Sequence, residues 1–225
     1  MPELLDRVTI LAAFAKLDSE LARRRRRADL FVVGGAAMVL VYDQDLRART
    51  RDVDAVFADV ADVYDAAHTV ARRMGLPADW LNDAVRSYML GDDPEATPVW
   101  EGPSLQVAVG SPRYILAMKL LAARPEQDRD DIDLLFGLLG YTAADQGISL
   151  LLDMLPGRRV PDRTIDLLEA MYGPVTIVPD GEHRSVPSSP PAPTAARCRA
   201  CGRPLRSAAS IALGVGPTCA RRAVS

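Results

Sequence analysis

Cysteine is missing from the first 197 residues of this 225-residue chain; Cys198, Cys201 and Cys219 all crowd toward its C-terminus. An odd number so clustered reads as metal ligands before disulfides. Long apolar runs are lacking too. None approaches the ~20 residues that a membrane helix needs, which excludes a simple transmembrane span and leaves no membrane partner to expect. The N-terminus lacks a signal-peptide layout, because Glu3 and Asp6 stand where a basic segment would be and no cleavage site follows. A cytoplasmic protein is expected. Excess positive charge is absent: the net charge is −3, so no global basic field announces nucleic-acid binding. Histidine is scarce, and His68 falls inside a helical pattern, where it reads as a surface or packing residue rather than a base. What is present is a hydrophobic share of 48%, ordinary for a globular chain long enough for one sizeable core and an appendage.

The stretch that organises the rest is LFVVGGAAMVLVYDQDLRARTRDVDAVF, Leu30 to Phe57. An apolar strand, 30–33, breaks on Gly34-Gly35 and passes into a small-residue helical pattern. A polar, arginine-rich turn with Arg47, Arg49 and Arg51 follows. Asp52-Val53-Asp54 then enters a second apolar strand, 53–57. Alternate residues of a strand share a face, so Asp52 and Asp54 lie side by side. Paired carboxylates repel unless a cation sits between them. Oxygen ligands with few partners suit Mg²⁺, which takes its remaining ligands from water and substrate phosphates. Paired glycines let the backbone come close to a ligand. Free N–H groups at the start of the following helix favour phosphate.

A Gly-Gly turn followed by an Asp-x-Asp strand resembles the nucleotidyltransferase superfamily, and the wording Arg49-Thr50-Arg51-Asp52-Val53-Asp54 resembles its AbiEii-like abortive-infection and toxin–antitoxin branch and uncharacterised relatives. The resemblance covers about residues 1–170. It implies an α+β fold, a small mixed sheet flanked by helices with a helical C-terminal part. It also implies a Mg²⁺-dependent enzyme that moves an NMP from an NTP to a hydroxyl of RNA, tRNA among them, or of protein. A toxin or defence role and an antitoxin-type protein partner come from the same likeness. Asp52 and Asp54 would hold the metal, and Gly34, Gly35, Arg49, Thr50 and Lys119 the nucleotide. Arg49 could equally balance the acidic pair.

Other segments are read from pattern. Residues 3–27 form an amphipathic helix ending in Arg23 to Arg27, which reads as a solvated helix terminus more readily than as an RNA-phosphate grip. Residues 59–74 form a second helix, closed by Gly75 and Pro77. In the run Asp79-Trp80-Leu81-Asn82-Asp83, Trp80 reads as a buried anchor before a nucleotide-stacking ring. Residues 91–103 read as a loop, and 104–109 as a third strand. The superfamily usually carries a third carboxylate on such a strand. Here Gln106 and Ala108 stand on one side and Leu105, Val107 and Val109 on the other, with no acid. A helix then starts at Ser111-Pro112 and leads into Lys119, Arg124, Arg129, Asp130 and Asp133, which resemble the branch's second block. By that likeness Lys119 contacts phosphates, and Asp130 or Asp131 approaches the site as partner or base. As plain structure, Lys119 would snorkel from a core helix and the Arg/Asp run would be a salt-bridged helix start. Two further helical patterns fill 143–173.

The expected division is therefore a domain over residues 1–173, a linker over 174–196 and a module over 197–225. The linker is rich in Pro and Ser and can bury little. In the module, Cys198-x-x-Cys201-Gly is a tight knuckle that aims two thiolates at one Zn²⁺, and Gly216-Pro217-Thr218-Cys219 supplies a third. It resembles a small zinc-ribbon-like module. So short a segment needs its metal to fold. His183, the terminal carboxylate, water or a second chain are candidates for a fourth ligand. The module carries +6 and no acid, which leaves the remainder of a chain at −3 with −9. A basic knuckle on an acidic body suggests a tethered nucleic-acid-binding unit. The expected outcome of elemental analysis on the purified full chain is one zinc per chain, lost on Cys201→Ser.

Overall fold

The computed structural model describes residues 4–42 and 49–176. The linker beyond residue 176, His183, Arg47 and the three cysteines lie outside the described residues. The elements run α1 (Arg7–Arg23), β1 (Ala28–Val32), α2 (Gly34–Ala37) continuing as a π-helical turn (Met38–Tyr42), β2 (Val53–Val56), α3 (Val60–Met74), β3 (Leu81–Asn82), β4 (Thr97–Glu101), β5 (Leu105–Val109), α4 (Pro112–Ala122), α5 (Pro125–Leu139), α6 (Ala144–Met154) and α7 (Asp162–Tyr172). The architecture is α+β: a mixed five-stranded sheet flanked by helices. Its order is β3-β2-β1-β5-β4. β1 runs antiparallel to β2 and parallel to β5, β2 is parallel to β3, and β4 is antiparallel to β5. Among the described residues no single helix is long and apolar enough to cross a membrane.

Strand alternation sorts the sheet into two unlike faces. Ala28, Leu30, Val32, Val53, Ala55, Leu105, Val107 and Val109 are buried. The intervening residues Asp29, Phe31, Asp54, Val56, Gln106 and Ala108 remain exposed or half-buried. The register sets Phe31 opposite both Val56 and Ala108, so these residues share the second face. Phe31 meets Tyr114 of α4 edge-on there, with ring centroids 5.2 Å apart. The helices obey local rules: Asp6 caps α1 by accepting from Thr9 N–H at 2.8 Å, Ser111 caps α4 with Pro112 in its first turn, and α3 closes on Gly75 at φ +71°.

Two expectations change. The loop expected over 91–103 contains β4, an edge strand that pairs with β5 from Thr97 to Glu101. Pro98 and the flanking acidic residues hide it in sequence, but proline is tolerated on an edge. Second, the helix begins on Gly34-Gly35 themselves and runs for only four α-helical residues before widening into the π turn. So short a helix contributes little dipole, and the two glycines matter for space rather than for helical charge.

The arginine run is structural where it is bonded. Glu20 is buried and accepts from Arg23 at 2.6 Å, Arg24 at 2.8 Å and Arg73 of α3 at 3.2 Å. Arg24 also donates to Thr69, and Arg26 pairs with Asp62 at 3.1 Å, tying α1 to α3. Arg25 and Arg27 are exposed. Trp80 is fully buried and donates Nε1–H to the Ala67 carbonyl at 3.1 Å, the anchor expected of it. The bond from Arg23 first, opposed by burial and aided by Arg24, draws Glu20 down to about 2. A lowered carboxyl stabilises the fold above its ordinary value and loses that contribution as pH falls through the folded one. Glu20→Gln should cost about 1–2 kcal/mol in urea unfolding at pH 7. That gap from the parent chain should close as pH falls from 4.5 toward 2.

Candidate metal and nucleotide site

The site is built where β2 passes the glycine bend. Asp54 stands on the half-open face of β2, and Asp52 lies two residues earlier with the same parity. Gly34 has φ +65°, and a Cβ on it would lie 2.9 Å from Asp54 Oδ2. A Cβ on Gly35 would lie 2.9 Å from Thr50 Oγ1. The carboxylate and the hydroxyl are thus aimed into the space that the missing side chains leave. Thr50 Oγ1 donates to the Asp52 carbonyl at 3.1 Å, and Asp54 carbonyl accepts from Val33 N–H at 3.0 Å, so bend and strand are held together through the backbone.

Electrostatically the pair is under-neutralised. Burial pushes the Asp54 carboxyl up, neighbouring Asp52 pushes the same way, and Asn82 and Arg124 oppose them. Burial also raises Asp52, with Asp79 adding repulsion and Asn82 and Arg51 opposing. Among the described residues no three or more His, Cys, Asp or Glu gather into an enclosing metal cage. Two adjacent carboxylates, a cradle that a Cβ would fill and no third ligand make a donor set suited to a hard cation. Such a cation completes its shell with water and substrate oxygens.

The other sequence candidates are placed differently. Lys119 is buried in α4, with Nζ 2.9 Å from Asp128 and 2.6 Å from Asp131. Its charge is spent on those two carboxylates. Asp130 is exposed on α5, whereas Asp128 is buried and Asp131 half-buried. The acids that meet Lys119 are therefore Asp128 and Asp131, and Asp133 instead accepts from Tyr172 at 2.9 Å. Arg124 grips Asp128 with Nε at 3.0 Å and Nη2 at 3.3 Å, yet its side chain is 59% exposed and its charge reaches Asp54. Burial alone would raise Asp128; Arg124 and Lys119 outweigh it and hold the carboxyl low. Arg49 is exposed, and its charge acts on Asp6. β5 brings Gln106 and Ala108, and no acid, to the shared face. His68 is exposed and stacks on Tyr64.

Sequence reading gave no role to Asn82 and none to Asp128. Asn82 reaches the site because β3 adds beside β2 in parallel, Asp54 opposite Asn82, and a two-residue strand leaves almost no periodic signal. The signal for Asp128 was its i,i+4 spacing from Arg124, whereas its tie to Lys119 crosses the helix break that Pro125 marks.

Two comparisons with known proteins give matches. Residues 188–224, which include all three cysteines, match a family of unknown function (DUF6011). A solved structure described as an antigenic nucleotidyltransferase-like protein from Paracoccidioides brasiliensis is similar at a TM-score of 0.39 and 18% identity, over 77% of this chain and 96% of that one. No curated protein matches.

The raised carboxyls carry a stability consequence. A carboxyl held above its ordinary 3.8 stabilises the fold at low pH and loses that contribution as pH rises through the folded value. At pH 7 without divalent cations, Asp54→Asn should leave the thermal midpoint unchanged or higher. A loss above about 1 kcal/mol would contradict this.

Proposed function

We propose that this chain is a Mg²⁺-dependent nucleotidyltransferase that transfers an NMP from an NTP to a hydroxyl acceptor. The observation that carries the reading is the meeting of Asp54 with the Gly34 bend, where the carboxylate takes the space a side chain would need, a Cβ on Gly34 falling 2.9 Å from Asp54 Oδ2, with Asp52 beside it.

In this reading Asp52 and Asp54 hold the cation and Gly34 and Gly35 admit the phosphates to the backbone. Bound magnesium supplies charge neutralisation at the triphosphate and a template for in-line displacement. The acceptor oxygen bonds to the α-phosphorus, the bond from that phosphorus to the bridging oxygen breaks, and pyrophosphate leaves while the hydroxyl proton passes to solvent. Arg124, exposed at the rim and acting on Asp54, is better placed for the leaving phosphates than the doubly paired Lys119. Asp128 aims it, and Lys119 keeps Asp128 ionised. Thr50 lines the opening; Arg49 contributes charge from outside it.

The acceptor we favour is RNA, tRNA included, held in part by the basic C-terminal module with zinc on Cys198, Cys201 and Cys219. A toxin or defence role with an antitoxin-type partner, and a cytoplasmic setting, belong to the same proposal. A second reading, a catalytically lapsed binding protein, is favoured by one observation: the face of β5 beside the site carries no acid.

The test incubates the full chain with each labelled NTP, Mg²⁺ and total RNA. Label transfer that falls about 10²-fold or more on Asp54→Ala supports the enzyme. No transfer to any acceptor, together with salt-sensitive RNA binding lost on Cys201→Ser, supports the lapsed form.

A further inference from the structure

The edge strand β3 places a neutral amide against the carboxylate pair. Asn82 Nδ2 donates to Asp52 Oδ2 at 3.0 Å. The amide cannot be turned about, because its Oδ1 accepts from Ala84 N–H at 3.1 Å, and a backbone N–H can only donate. That bond fixes which end of the amide faces the site. Asn82 also stands opposite Asp54 in the parallel register of β2 and β3. It therefore sits on the face where both carboxylates lie and brings the pair a hydrogen-bond donor without a charge.

From this geometry we infer that Asn82 is a positioning residue for the divalent cation of the proposed site: it pins one oxygen of Asp52 and turns the other toward Asp54. The inference rests on the reading of Asp52 and Asp54 as cation ligands. Physically, an unpinned Asp52 would swing away from Asp54 to relieve repulsion, and the cation would have to recover that rotation on binding. A donor that holds the ligand in place removes this cost. Asparagine suits the position better than lysine or arginine, whose charge would compete with the cation for the same carboxylates. It also suits better than aspartate, which would add repulsion and offer no donor. Residues that orient metal ligands through a hydrogen bond typically contribute about 10–100-fold in metal affinity.

The experiment titrates Mn²⁺ into the full chain and into Asn82→Ala, reading the signal of free Mn²⁺ by electron paramagnetic resonance, with circular dichroism and thermal unfolding measured without metal. Asn82→Ala is expected to bind Mn²⁺ about 10–100-fold more weakly with its fold and metal-free midpoint unchanged. Asn82→Asp, which keeps the shape and the contact to Ala84 but sets a third carboxylate against the pair, is expected to lower the metal-free midpoint below that of both the parent and Asn82→Ala. Equal Mn²⁺ affinity in Asn82→Ala and the parent, where Asp54→Asn loses it, overturns the role of Asn82 and leaves the carboxylate site standing. Absence of Mn²⁺ binding in the parent chain overturns both.

Discussion

Two like charges held on one pleated face, against a bend too tight for any side chain, are the constraint on which the candidate site depends. Asp54 and Asp52 repel and are partly removed from water. A fold selected for stability alone has no need of such an arrangement, since apolar residues at the same positions would continue the strand. The bend accepts the arrangement because Gly34 takes φ +65° and has no Cβ. A side chain there would be strained and would strike Asp54. The rest of the sheet supplies rigidity: Val53 and Ala55 are fully buried on the opposite face and leave β2 little freedom to rotate its acids away.

The positive groups are arranged in an ascending order of freedom. Lys119 is buried and fully engaged, Arg124 is engaged but open to solvent, and Arg49 is exposed. A buried ion pair is costly to break and slow to rearrange, so Lys119 and Asp128 form a fixed base on which Arg124 stands. The arginines of the first helix do an unrelated job. The guanidinium groups of Arg23, Arg24 and Arg73 converge on buried Glu20 and join α1 to α3.

Much of this was legible in the residues. The glycine pair, the spaced aspartates and the alternation of LQVAV all report local backbone geometry, and local geometry is what periodicity encodes. The strand over 104–109 and the helices over 59–74 and 112–122 followed from it. What escaped depended on partners distant in sequence. β4 was hidden because an edge strand tolerates Pro98 and needs only one neighbour. The engagement of Lys119 depended on how α5 folds back on α4. Asn82 gained its place by lateral addition of a two-residue strand. Between Asp130, Asp131 and Asp128, helical phase decided which faced inward, and Pro125 sets that phase by fixing where α5 begins.

The shortness of β3 has one further consequence. Its backbone tie to β2 includes Val53 N–H donating to the Trp80 carbonyl at 2.6 Å, and among the described residues no further strand lies on its outer side. Burial of Trp80 and Leu81 resists local opening at this margin. Each opening would carry Asn82 away from Asp52, so fraying at the margin and tuning of the acids become a single equilibrium. Anything that gathers the two aspartates would, by reciprocity, quiet the breathing of the sheet's edge.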